Sequence, residues 1–237
     1  MRGTGTTIRN AIVGMALSAL ACVGARAGEP GGAPVFEGPI TAESVDAFIA
    51  GLDEAKPAAR WVILDSQGGD VDAALKLAEV LHARSMSVYV RKLCASSCAN
   101  YLFLAGRSKV IGAGAVVGWH GSPASEHIDG LESLGAAQRR DFEKMRRALI
   151  ARERRFLAEV RVDRRLLCVG DRTIAQAHAA GWTMPVRAMA RFGVNDVAAE
   201  PGAAIPTHVP NHSEPVLVLD PEPDCGRVYP PLADARY

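Results

Sequence analysis

Apolar residues along the chain follow two alternating patterns. Val45, Phe48, Ile49 and Leu52 fall at i, i+3, i+4 and i+7, the spacing that lines one face of a helix. Trp61-Val62-Ile63-Leu64 is a short unbroken apolar run, long enough for a buried strand, and Ser66-Gln67-Gly68-Gly69 ends it. From Asp70 to Arg84, the positions of Val71, Ala74, Leu75, Ala78 and Leu81 predict a second helix. Ser87-Val88-Tyr89-Val90 reads as a strand, and Ala99 to Ala105 as a helix after a turn at Ser96-Ser97. Val116-Val117-Gly118-Trp119 reads as a strand running into His120. Short buried strands alternating with helices predict an α/β fold with a mainly parallel sheet. Strand-turn-helix junctions in such folds gather at the carboxyl ends of the strands, where α/β proteins place their chemistry. No internal repeat is present.

Further along, Phe142, Met145, Leu149, Phe156 and Val160 keep a helical spacing through residues 137–165, which hold 11 basic and 5 acidic residues. Asp141, Glu143, Glu153 and Glu159 are interspersed among the arginines. That mixture predicts a long helix with one packed face and one solvated face, rather than a patch for nucleic acid or an acidic membrane. Residues 28–35 are rich in Gly and Pro and read as a flexible start. The segment from Pro201 holds eight of the chain's 14 prolines and predicts an irregular tail. Val216-Leu217-Val218-Leu219 could add an edge strand there, and Cys225 could tie the tail down.

The first 27 residues change the composition. Arg2 and Arg9 precede an apolar run from Ala11 to Val23, and Ala25-Arg26-Ala27 offers small residues where a signal peptidase cuts. The run is shorter than the roughly 20 residues needed to span a bilayer, so an export signal is favoured over an anchor. The expected organisation is a signal peptide over 1–27, an α/β domain over 28–200 and a Pro-rich tail over 201–237. With the leader removed, 210 residues remain, carrying 24 basic and 26 acidic residues. A net charge of −2 does not support bulk affinity for nucleic acid. Four cysteines remain, Cys94, Cys98, Cys168 and Cys225, an even number that permits disulfides in an exported chain. Their spacing leaves three pairings open. Only Cys94 and Cys98 form a short-spaced pair, so a tetrahedral metal site is not expected.

Three local features could carry chemistry. Ser66-Gln67-Gly68-Gly69 lies between a strand and a helix, where glycines let backbone N–H groups face a ligand; taken alone, an ordinary connecting turn is the commoner role. Ser96-Ser97 opens a helix, where free N–H groups and the positive end of the dipole can stabilise an oxyanion; a plain helix cap is the commoner role. His120 ends a strand, and a lone histidine is most often structural. His82, His127, His178, His208 and His212 form no recognisable metal spacing.

In this order and spacing, the three features resemble the Clp protease proteolytic subunit and its wider crotonase-like superfamily, most closely an exported Clp-like branch. The likeness covers roughly residues 36–185. The matching elements are Ser66-Gln67-Gly68-Gly69, the helix from Ser97 to Ala105-Gly106, and His120 at a strand end. The stretch from 137 resembles the family's handle helix. Ile174 to Trp182 resembles its closing segment. The resemblance implies a serine peptidase with Ser97 as nucleophile, Ser96 as the alternative, His120 as general base, and the N–H groups of Gly69 and Cys98 as oxyanion hole. It implies a peptide or protein substrate, no cofactor, and homo-oligomer contacts through helix 137–165. No ATPase partner is expected outside the cytoplasm. Two departures stand out. Gln67 replaces the family's proline, and Val169 falls where gapless counting from Gly181 puts the third triad member, so Asp171, two residues on, is the candidate. Cys94 and Cys98 flank the nucleophile turn and are close enough to pair, which would leave Cys168 to pair with Cys225.

Overall fold

A computed structural model of the chain describes residues 28–54, 59–125, 131–201, 205–208, 213–233 and 236–237. The expected leader, 1–27, lies outside the described residues.

Strand β1 (Val35–Glu37) leads into helix α1 (Ala42–Glu54), then β2 (Trp61–Ser66) and helix α2 (Val71–Ala83). Val35 is thus already a sheet residue, at the end of the stretch expected to be flexible. The side chain of Asp70 caps α2 by accepting from Ala73 N at 2.7 Å, an interaction worth about 1 kcal/mol. Strand β3 (Ser87–Ala95) follows, nine residues long and twice the length its apolar core suggested. The helical turn after it, Cys98–Phe103, is wound as a π-helix and all six of its residues are buried. Strands β4 (Lys109–Ile111) and β5 (Val116–Gly118) precede the longest helix, α3 (Ala136–Glu159). After it come α4 (Asp171–Ala177), β6 (Gly181–Thr183), α5 (Val186–Met189), β7 (Val197–Ala199) and β8 (Val216–Val218).

The sheet runs β1-β2-β3-β4-β7, and every pairing in it is parallel. Parallel strands need crossovers, and α1 and α2 supply the first two. Strand β3 forks. Its first half pairs with β4 and its second half with β5, which places Ala95 beside Gly118. The β2–β3 register shifts between Leu64 and Ser66. At that irregularity Arg91 of β3 reaches Asp65 and Glu37. The tail adds an ordered strand, β8, paired in parallel with β6 in a separate two-stranded sheet.

Leu64, Leu75, Leu81, Val88, Leu102 and Phe103 are all completely or almost completely buried between the sheet and α2 with the π-turn. Trp119 and Trp182 are fully buried with ring centroids 5.4 Å apart. Their backbones bond in both directions at 2.8 Å, which ties the end of β5 to β6. Helix α3 buries side chains only near its C-terminal end, although Arg146 Nε nearer its middle donates to Pro123 O at 2.8 Å. Of its described side chains only Glu153, Phe156 and Leu157 are buried. Phe142 and Leu149 are half-buried and Met145 is 52% exposed. The packed face expected along the whole helix is therefore confined to its last two turns. Glu153, expected on the solvated face, is 3% exposed.

Two disulfides close in the pairing Cys94–Cys98 and Cys168–Cys225, with Cα–Cα distances of 5.1 and 5.3 Å. Both fit an oxidising, extracytoplasmic compartment. Among the described residues, no helix is long and apolar enough to cross a membrane.

Candidate active site

Three chain segments meet at the carboxyl ends of β2, β3 and β5. The first is the turn after β2. Ser66 Oγ donates to Gly38 O at 2.5 Å and accepts from Gly68 N at 3.1 Å, which folds the turn back on itself. Gly69 then bridges to Ile40, with Ile40 N donating to Gly68 O and Asp70 N donating to Ile40 O, both at 2.9 Å. In a parallel bridge of this kind the N–H and C=O of Gly69 itself face the other way. The carbonyl faces the second segment: Ser97 Oγ donates to Gly69 O at 2.7 Å.

That second segment is the turn between β3 and the π-turn. Ser96 sits at φ 56°, a left-handed conformation uncommon for a residue with a side chain and found disproportionately at functional sites. It reverses the chain sharply, so that Ser97 stands at the head of the helix, 3% exposed. Cys98 is the first residue of the π-turn, where N–H groups lack intrahelical partners. Its disulfide to Cys94 bridges the last strand residues and the first helical one, so the turn is covalently closed. π-turns are rare and recur at functional sites. The two turns are in close contact, because a Cβ placed on Gly68 would lie 2.7 Å from Ala95 O and from Ser96 Cβ.

The third segment is the end of β5. The β3–β5 register ends with Ala95 beside Gly118, two residues before His120. Ser96 N donates to Gly118 O at 2.9 Å. Asn100, a buried residue of the π-turn, donates through Nδ2 to Gly121 O at 2.8 Å. The helix headed by Ser97 is thus bonded to the loop on the far side of His120. His120 itself is half-buried and lines a cleft of about 270 Å³. Gln67, Ala95, Trp119 and Gly181 also line this cleft, and Leu93, Val116 and Val216 make its walls mostly apolar. Exposed Glu214, just before β8, is the carboxylate among the lining residues.

Asp171 opens α4 and is half-buried. The gapless position, Val169, is fully buried in the apolar core and cannot ionise. Gly170 between them packs so tightly on the Trp182 indole that a Cβ there would lie 2.3 Å from it. Trp182 is in turn bonded to Trp119, the residue before His120. Asp171 therefore follows a glycine packed on the tryptophan pair that precedes His120.

Asn100 and Glu153 were not singled out by the sequence patterns. Asn100 is the lone amide side chain in the largely apolar run from Cys98 to Ala105, which is the signal that could have found it. Glu153 gives no such signal, because it lies among exposed arginines. No protein-family model matches the chain, and no curated protein sequence matches it.

Proposed function

We propose that the protein is an exported serine hydrolase acting on peptides through an acyl-enzyme. The observation that carries this reading is the meeting of the Gly68-Gly69 turn, the left-handed Ser96-Ser97 elbow and His120 at the ends of adjacent parallel strands, beside an apolar cleft. In the proposed mechanism Ser97 Oγ attacks the scissile carbonyl while His120 takes its proton. The N–H groups of Gly69 and Cys98 stabilise the oxyanion. His120 then protonates the leaving amine, and water repeats the sequence to release the acyl group. Asp171 is assigned to orient the imidazole. Before attack, the Ser97 hydroxyl must swing from Gly69 O to the histidine. The reading has the chain exported, with its leader cut near Ala27, and has copies associate through α3. It calls on no cofactor and no ATPase.

The test is hydrolysis of a fluorogenic peptide library by the mature protein. Ser97→Ala and His120→Ala are each expected to lower turnover by at least about 10³-fold. Undiminished turnover in Ser97→Ala would refute the assignment. A second reading, a peptide-binding protein without catalysis, is favoured by the 2.7 Å bond that holds the Ser97 hydroxyl on Gly69 O. Its expected result is peptide binding by wild type and Ser97→Ala alike, with no hydrolysis.

A further inference from the structure

Glu153 is a buried acid that the proposed chemistry leaves unused. Its Oε2 accepts from the Tyr101 hydroxyl at 2.7 Å, and its Oε1 from Ser122 Oγ at 3.4 Å. Tyr101 is fully buried, four residues after Ser97 in the π-turn. Ser122 is 3% exposed and follows His120 by two residues. One carboxylate on α3 therefore receives a donor from each of the two elements that carry the Ser and the His.

Burying a carboxylate costs several kcal/mol, and a well-packed apolar side chain would generally stabilise the fold as well or better. Apolar packing would not fix direction, however. The 2.7 Å bond from Tyr101 is strongly directional and the 3.4 Å contact from Ser122 weakly so, and together they set the relative position of their elements more narrowly than non-directional contact does. Around Glu153 the frame is held from both sides. The Arg152 guanidinium clamps α3 to α2 through a two-pronged contact with Glu79, at 2.9 and 2.7 Å. The Asn100–Gly121 bond spans the same gap nearer the cleft. Tyr101 and Phe156 pack edge-on, one helical turn from the carboxylate.

We infer that Glu153 is a positioning residue. Its hydrogen bonds lock the Tyr101 turn to the Ser122 loop and thereby set the approach of Ser97 Oγ to His120. The inference rests on the hydrolase reading. Glu153 touches none of the reacting atoms, so its effect falls on rate rather than on binding, and a misplacement on the order of 1 Å costs about 10²-fold.

The experiment follows the labelling of the mature protein by a fluorophosphonate as a function of probe concentration. It compares wild type, Glu153→Gln and the triple variant Tyr101→Phe, Ser122→Ala, Glu153→Leu. The triple variant removes the carboxylate together with both hydroxyls that donate to it and frees Ala124 N, which donates to Ser122 Oγ at 3.2 Å, and its melting temperature checks that the fold is kept. Glu153→Gln still offers an acceptor and is expected to label within about threefold of wild type. The triple variant is expected to label ten- to a hundred-fold more slowly at saturation, roughly the cost of a small misplacement, with an unchanged half-saturating concentration. Wild-type labelling by the triple variant overturns the inference. So does a Glu153→Gln variant as slow as the triple, because charge rather than position would then matter. Hydrogen exchange supplies a readout independent of activity. Amides in 98–103 and 119–122 are expected to lose protection together in the triple variant, and unchanged exchange in both segments refutes the coupling. A wild type that takes no label sinks the hydrolase reading, while the exchange result still decides the role of Glu153 in joining the two elements.

Discussion

Gly68 shows how tightly the site is built at the scale of one residue. Its φ of +99° is closed to most side chains, and an added Cβ would press on Ala95 O and Ser96 Cβ, which belong to the elbow itself. Gly51 in α1 has open space around it. Gly68→Ala is therefore expected to destabilise the protein by about 2–4 kcal/mol. Gly51→Ala should stabilise it by roughly 0.5–1 kcal/mol. Urea denaturation of the two variants makes the comparison, and equal midpoints would contradict the close approach of the two turns. Lys109 marks the opposite case, a residue whose chemistry conceals its place. It is 6% exposed, its Nζ donates to Gly106 O and Asn195 O, and burial pushes its ammonium down to about 8.

Among elements, those with four or more apolar positions in register were legible from the chain. The helices α1 and α2, the cores of β2 and β3, and β5 all fall where periodicity put them. Strands β1, β4 and β7 were not, because their apolar residues are too few to stand out: Val35-Phe36 before Glu37, Val110-Ile111 after Lys109, and Val197 with two alanines before Glu200. The site was legible in the order of its turns, since glycines and a serine at strand ends stand out locally. Its supports were not, because Asn100 and Glu153 matter through contacts 21 and 31 residues away. The apolar positions of α3 keep their helical spacing, but among the described residues the helix buries side chains only from Glu153 on. Phe142, Met145 and Leu149 lie on the stretch that carries no buried side chain. Association of copies through this stretch predicts that Met145→Glu shifts wild-type oligomer toward monomer with its melting temperature unchanged. Analytical ultracentrifugation at micromolar concentration reads this, and identical sedimentation of the two proteins would contradict it.

For the molecule as a whole, the tail is part of the fold rather than an appendage. Cys225 joins Cys168 across 57 residues, three residues before Asp171. The β8 strand between them in the chain lays Val216 against the cleft. Tyr229 N, four residues past Cys225, donates to Thr173 Oγ1 in α4 at 3.0 Å. Closing a loop of this size is worth about 2–4 kcal/mol. Replacing both cysteines by serine is expected to lower stability by that amount in chemical denaturation. It should also slow Ser97 acylation, since the cleft wall loosens. A double-serine variant with wild-type stability would show that the other tail contacts suffice. Chain order alone pointed to a tail tied down at Cys225, but not to a wall of the cleft, because pairing β8 with β6 is a contact between distant segments.

The central claim is that Ser97 is a nucleophile activated by His120, and intact-mass analysis with peptide mapping after fluorophosphonate treatment tests it most directly. The expected result is one adduct per chain, located on Ser97, absent from Ser97→Ala, retained in Ser96→Ala and strongly slowed in His120→Ala. An adduct on Ser96, or a folded, disulfide-intact wild type that takes no label, would contradict it.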